Sequence, residues 1–165
     1  MCTVIAMSWQ INNYRLQAVE KPKPPTVSES TITLIKSFEG VRNKPYYDSE
    51  GWLTTGVGHL IKPHETHLIT NLSDDQVHNL LRSDLRGCEE TIEKSVRVSI
   101  NQNQFDALAS LCFNIGQYRF SVSRVVYLLN QGKITDAAHA FLDWSIPSVL
   151  VKRRREEKSL FLSDI

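Results

Sequence analysis

The chain has 165 residues, 41% apolar and 22% charged, with a net charge of +1: enough for one domain or for two small lobes around a shared helix. No run approaches the roughly 18 apolar residues of a membrane span, and the near balance of charge gives no electrostatic case for a nucleic-acid partner. Three cysteines, Cys2, Cys88 and Cys112, follow no metal-ligand spacing, and the last two fall among apolar residues at helical spacing, as reduced core thiols do.

Residues 1–20 are mildly apolar and lack the basic leading region of a secretory signal, which argues for a chain made and at first kept in a cytoplasm. A strand laid on the domain, a docking arm or disorder would each suit them. A linker follows, with Pro22, Pro24 and Pro25 favouring extended backbone. The division expected is an arm and Pro-rich linker over 1–28 and a globular domain over 29–165. Ser28 or Ser30 can cap a helix that carries Ile32, Ile35 and Phe38 on one face and ends at Gly40. Glu39 then occupies the last turn, where the helix dipole and apolar neighbours disfavour an ionised carboxylate.

Residues 45–59 mix β-formers with the turn residues Asp48, Ser49, Glu50 and Gly51, the pattern of a small antiparallel sheet. From Ser73 the chain reads as helical. Ser73 and Gln76 form a capping box ahead of the longest helix, striped by Val77, Leu80, Leu81, Leu85, Cys88 and Ile92. Asn101 and Gln104 offer a second box ahead of Phe105, Leu108, Leu111, Cys112 and Ile115. Further helices are expected near 121–131, closed by Gly132, near 135–143, and beyond Pro147 to about Phe161. The class is α+β: a small antiparallel sheet lobe and a helical lobe joined by the long helix.

The chemistry concentrates in FEGVRNKPYYDSEGWLTTGVGHL, where Glu39, Asp48 and Thr54 stand nine and then six positions apart. Breaking a glycosidic bond with water needs a proton donor, an ionised carboxylate and a group that aims the water; these residue types supply all three. Taken singly, each has an ordinary explanation: a carboxylate in solvent, or a β-branched strand residue. His59, His64, Glu65 and His67 match no strong zinc pattern and suit loop histidines better. Lys152 to Arg155 could bind phosphates, yet Glu156 and Glu157 follow at once, so a helix end with a solvated or cleft-facing charged side is the better reading.

The same residues, with Gly40, Tyr46, Gly51, Gly56 to Leu60, the FNIG segment from Phe113 to Gly116 and the terminal KRRREEKSLFL, resemble the phage-type lysozymes of glycoside hydrolase family 24 over roughly residues 30–162. The resemblance implies a lysozyme-like fold and a peptidoglycan muramidase, without metal or organic cofactor, cutting the β-1,4 bond between N-acetylmuramic acid and N-acetylglucosamine with inversion. It implies Glu39 as general acid and Asp48 with Thr54 as holders of the attacking water. Leu60, Phe113 and Ser123 match saccharide-cleft positions, and His59 with Asp84 matches a structural ion pair. One of Arg153, Arg154 and Arg155 is expected to reach Glu39. The setting implied is a monomer without membrane insertion, stored in the host cytoplasm and released to the periplasm and cell wall by a holin-type protein. Three departures stand out. Ala140 replaces a polar amide of the cleft, SIPSVL replaces a glycine-rich turn, and the signal-arrest-release segment of lambdoid members is absent. The rivals are a lytic transglycosylase, which needs one glutamate only, and a non-catalytic wall-binding or baseplate module.

Overall fold

The computed structural model describes residues 25–163, so the apolar arm and most of the proline linker lie outside the described residues. Helix α1 (Glu29–Glu39) begins at Ser28, not Ser30. The Ser28 hydroxyl accepts from the Thr31 amide at 3.3 Å and donates to Asp106 at 2.5 Å. Asp106, buried on a later helix, also takes the Ser28 amide at 3.0 Å, so a carboxylate within the apolar stretch anchors the chain entry.

Strands β1 (Arg42–Tyr47), β2 (Leu53–Gly56) and β3 (His59–Leu60) form one antiparallel sheet in that order. A short 3-10 turn (Thr66–Leu68) leads to α2 (Asp74–Ser95), whose Ser73–Gln76 capping box is present in full. At about 1.5 Å per residue, its 22 residues reach from the sheet, where it packs on β2 and β3, to the helical side. Val77, Leu81, Leu85, Cys88 and Ile92 are its buried stripe. Asn43 joins the sheet to the start of α2, donating to the Leu72 carbonyl at 2.9 Å and to Asp74 at 2.8 Å.

Helix α3 (Gln102–Ile115), capped by Asn101 and Gln104, is buried on all sides from Gln104 to Cys112. Cys88 and Cys112 are free buried thiols; the Cys88 thiol beside it and burial push the Cys112 thiol up. The helix expected near 121–131 is two pieces, α4 (Gln117–Ser121) and α5 (Arg124–Asn130), because Ser123 starts a new helix by accepting from the Val126 amide at 3.3 Å. Helix α6 (Ile134–Ala140) tightens into a 3-10 turn (Phe141–Trp144), and after another such turn (Ser148–Leu150) α7 (Val151–Phe161) returns along α3. Phe161 there meets Phe141, ring centroids 5.3 Å apart.

His59 ties the sheet to the spine. Its Nδ1 lies 2.9 Å from one Asp84 oxygen and its Nε2 3.2 Å from Glu65, whose Oε2 also accepts the Lys62 amide at 2.9 Å. The hydrogen bond to Asp84 is the main cause holding the imidazole above its ordinary 6.5; burial opposes it and Glu65 adds to it. A pKa raised on folding contributes stability that is complete below the unfolded value and is lost as pH rises through the folded one. His59→Asn is therefore expected to lower unfolding free energy by about 1–3 kcal/mol near pH 6, with the gap from the parent narrowing as pH is raised. Chemical denaturation across that range checks it; a gap that ignores pH removes the ion pair from the account.

Candidate active site

Helix α1 stops at Glu39 because Gly40 takes φ 76, a conformation that L side chains resist, while its amide still closes on the Lys36 carbonyl at 2.9 Å. The Glu39 side chain is 27% exposed and lines a cleft of about 380 Å³. Val57, Gly58, His59, Leu60 and Lys62 form the sheet side of that cleft, and Asp84, Phe113 and Asn114 form the helical side. The cleft thus brings Glu39 together with Leu60, Phe113, His59 and Asp84.

The expectation of an arginine at Glu39 resolves to Arg153, whose Nη1 donates to Glu39 Oε1 at 2.5 Å. Its guanidinium carbon sits 4.9 Å over the Phe38 ring. On its other side Nε donates to Glu157 Oε1 at 2.9 Å and Nη2 to the Ser110 carbonyl at 3.1 Å. Glu157 also takes the Ser110 hydroxyl at 2.6 Å and Arg154 Nη1 at 2.7 Å, and Arg154 donates onward to the Asn114 side chain. Burial pushes the Glu157 carboxyl up, opposed by Arg154, Ser110 and Arg153.

Arg153, Arg154 and Glu157 are buried while Lys152 and Arg155 are exposed, so the solvated side expected of this run holds for its outer residues alone, and Arg153 meets the cleft through Glu39. The i, i+4 spacing of Arg153 and Glu157 was a visible signal, but only packing against α3 shows that water is excluded. The network fixes two residues that line the cleft, Glu39 and Asn114.

Asp48 sits in the loop joining β1 to β2. Its Oδ1 accepts from the amides of Glu50 at 2.9 Å and Trp52 at 2.8 Å, an Asx-type closure that Gly51 permits at φ 83. Thr54 is 4% exposed and its hydroxyl donates to the Trp52 carbonyl at 3.1 Å. Tyr46 and Leu60 are its partners across the sheet. Asp48 and Thr54 are thereby tied through one residue, Trp52, and Thr54 stands beside a strand residue that lines the Glu39 cleft. A carboxylate held by two amides, with a hydroxyl tied to the same tryptophan, suits water alignment, and a carboxyl opening onto a cleft suits proton transfer there.

Ser123, like Asp48 and Thr54, is not among the residues lining the cavity at Glu39: it is buried as the cap of α5, against two other cavities, one bounded by Asn130 and Tyr127 and one by Arg124 and Trp144. Lys62 and Asn114, not singled out from sequence, line the cleft; Asn114 adjoins Phe113 in the FNIG segment, the one cue that pointed near it. His64 and His67 are exposed, and among the described residues no three His, Cys, Asp or Glu side chains converge as a metal site would need.

Removing the Glu157 charge leaves two buried guanidinium groups short of a partner, so Glu157→Gln is expected to cost about 3–5 kcal/mol. Urea unfolding measures this directly; a cost under about 1 kcal/mol would mean that the network is solvated.

The phage lysozyme family model matches residues 36–157. The endolysin of Salmonella phage P22 is 43% identical over 143 residues, covering 83% of this chain and 98% of the relative. A crystal structure of a mutant of P22 lysozyme superposes with a TM-score of 0.77 at 42% identity, covering 84% of this chain and 99% of that one. The muramidase domain of SpmX from Asticaccaulis excentricus gives the same TM-score and the same coverage at 36% identity. A match over most of the length, in sequence and in backbone, with the small sheet and long helix in place, shows that this chain belongs to the phage lysozyme family.

Proposed function

We propose that the chain is an N-acetylmuramidase that hydrolyses the β-1,4 bond between N-acetylmuramic acid and N-acetylglucosamine with inversion. Family membership supports a lysozyme-type peptidoglycan hydrolase. The finer reading is carried by one observation: Glu39 opens onto a cleft whose sheet side leads, through Leu60 and its partner strand, to Thr54 and Asp48.

In this reading Glu39 protonates the glycosidic oxygen as the bond breaks. Asp48, ionised and steadied by two backbone amides, orients a water with Thr54 and takes its proton as it attacks the opposite face of the sugar. Leu60 and Phe113 pack against the saccharide. Arg153 holds one Glu39 oxygen, leaving the other for the leaving group. The setting is lysis of a bacterial host: the enzyme waits in the cytoplasm as a monomer until a holin-type protein opens the membrane to the wall. No helix among the described residues is long and apolar enough to cross a membrane.

Mass analysis of released muropeptides tests the reaction: hydrolysis leaves a reducing muramic acid, whereas a transglycosylase leaves an anhydro-sugar lighter by one water. Proton NMR of the first-formed anomer tests inversion. Glu39→Gln is expected to abolish turnover, by about 10³-fold or more, with its melting temperature nearly unchanged. Asp48→Asn should lose most activity, and Asp48→Cys should retain some. Undiminished clearing of a peptidoglycan gel by Glu39→Gln would overturn the assigned acid, and no clearing by the parent chain would favour a binding module.

A further inference from the structure

Side chains along the hairpin that carries Asp48 alternate between the two faces of the sheet. Tyr46 stands opposite Thr54 and Thr54 opposite Leu60, so these three share one face, and Leu60 brings that face to the Glu39 cleft. The ladder continues past the strand ends. The Asp48 amide donates to the Trp52 carbonyl at 2.9 Å, and the Trp52 amide returns a bond to Asp48 Oδ1 at 2.8 Å. Asp48 and Trp52 are therefore the next opposed pair, and the two-residue period places both on the Thr54 face. Tyr47 and Leu53 oppose each other on the reverse face.

Trp52 is 57% exposed. Among the described residues no cation or second ring covers its indole, whereas the Tyr46 ring on the same face lies under the Arg42 guanidinium at 4.6 Å. A large aromatic ring left in water beside a catalytic-type carboxylate is a binding surface waiting for an apolar partner. A pyranose fits that description. One face of the ring is a patch of C–H groups, and its hydroxyl and acetamido groups lie at the rim, where an indole N–H can donate to them.

We propose that Trp52 is a saccharide-stacking residue whose indole receives the sugar lying beyond Asp48 from Leu60, and so positions the N-acetylated glycan across Asp48 and Thr54. This rests on the muramidase reading and adds to it a binding position on the sheet side. Continuity of one sheet face from Leu60 through Thr54 to Trp52 is what commits the site to glycan.

The test measures kcat and KM on a soluble, peptide-free glycan of alternating N-acetylglucosamine and N-acetylmuramic acid. Trp52→Ala is expected to raise KM about tenfold while kcat changes less than about twofold, at an unchanged melting temperature. Trp52→Phe should recover most of the affinity. Tyr47→Ala, which removes an aromatic that is 73% exposed on the reverse face, should change neither constant. In the inactive Glu39→Gln chain, the same glycan should alter tryptophan fluorescence, and adding Trp52→Ala should remove that response. An unchanged KM for Trp52→Ala, an equal loss from Tyr47→Ala, or no recovery in Trp52→Phe would overturn the proposal while leaving the muramidase reading intact. A parent chain that neither cleaves nor binds the glycan would overturn both.

Discussion

The guanidinium of Arg153 lies between Glu157, fully buried beneath it, and Glu39 at the edge of the cleft, and it donates to both. Glu39 belongs to α1 and Arg153 to α7, 114 residues later, so the last long helix holds the carboxyl at the end of the first. A helix end stopped by a glycine has no bond of its own to define where its final side chain points. Arg153 supplies that definition, and Glu157, Ser110 and the Phe38 ring in turn define Arg153. Burying this much charge is a poor way to gain stability, since desolvation offsets most of the attraction. Its effect is geometric: two groups that line the cleft, Glu39 and Asn114, are fixed by one network.

The sheet side is organised by a different kind of contact. Asp48 closes its own loop through backbone amides, which spends one oxygen locally and orients the carboxylate without help from another element. Thr54 bonds within two residues of itself. What joins this local unit to the rest is the spine helix, through His59 to Asp84 and through Asn43 to the start of α2. The placement of this sheet face therefore depends on packing between sheet and spine, while the internal shape of the hairpin depends on turn chemistry alone. Trp52 belongs to the second category, since it is the residue whose amide and carbonyl bind Asp48 and Thr54.

Much of the fold could be read from the amino-acid order. Ser73 with Gln76 and Asn101 with Gln104 announced the two long helices, because a capping box is complete within four residues. The apolar stripe from Val77 to Ile92 announced the buried side of the spine. Ser123 was harder: it appears in the middle of an apolar, helix-like run, and only its bond to the Val126 amide shows that one helix ends and another starts there. Asp106 was hidden for a related reason, since an acid among apolar neighbours identifies its partner, Ser28, only when the chain entry folds back across 78 positions.

For the site, the turn that closes around Asp48 was legible from residue order, because it spans only a few residues and turn chemistry is local; the roles of Glu39, Asp48 and Thr54 remain a proposal drawn from their spacing. Folding decided which of three successive arginines reaches Glu39, that two of them and Glu157 are buried, and that Lys62 and Asn114 join the cleft. The physical reason is that neighbouring helical residues differ by about 100° in direction. Which direction faces a core, a cleft or water is set by the elements packed against the helix, and those come from distant parts of the chain.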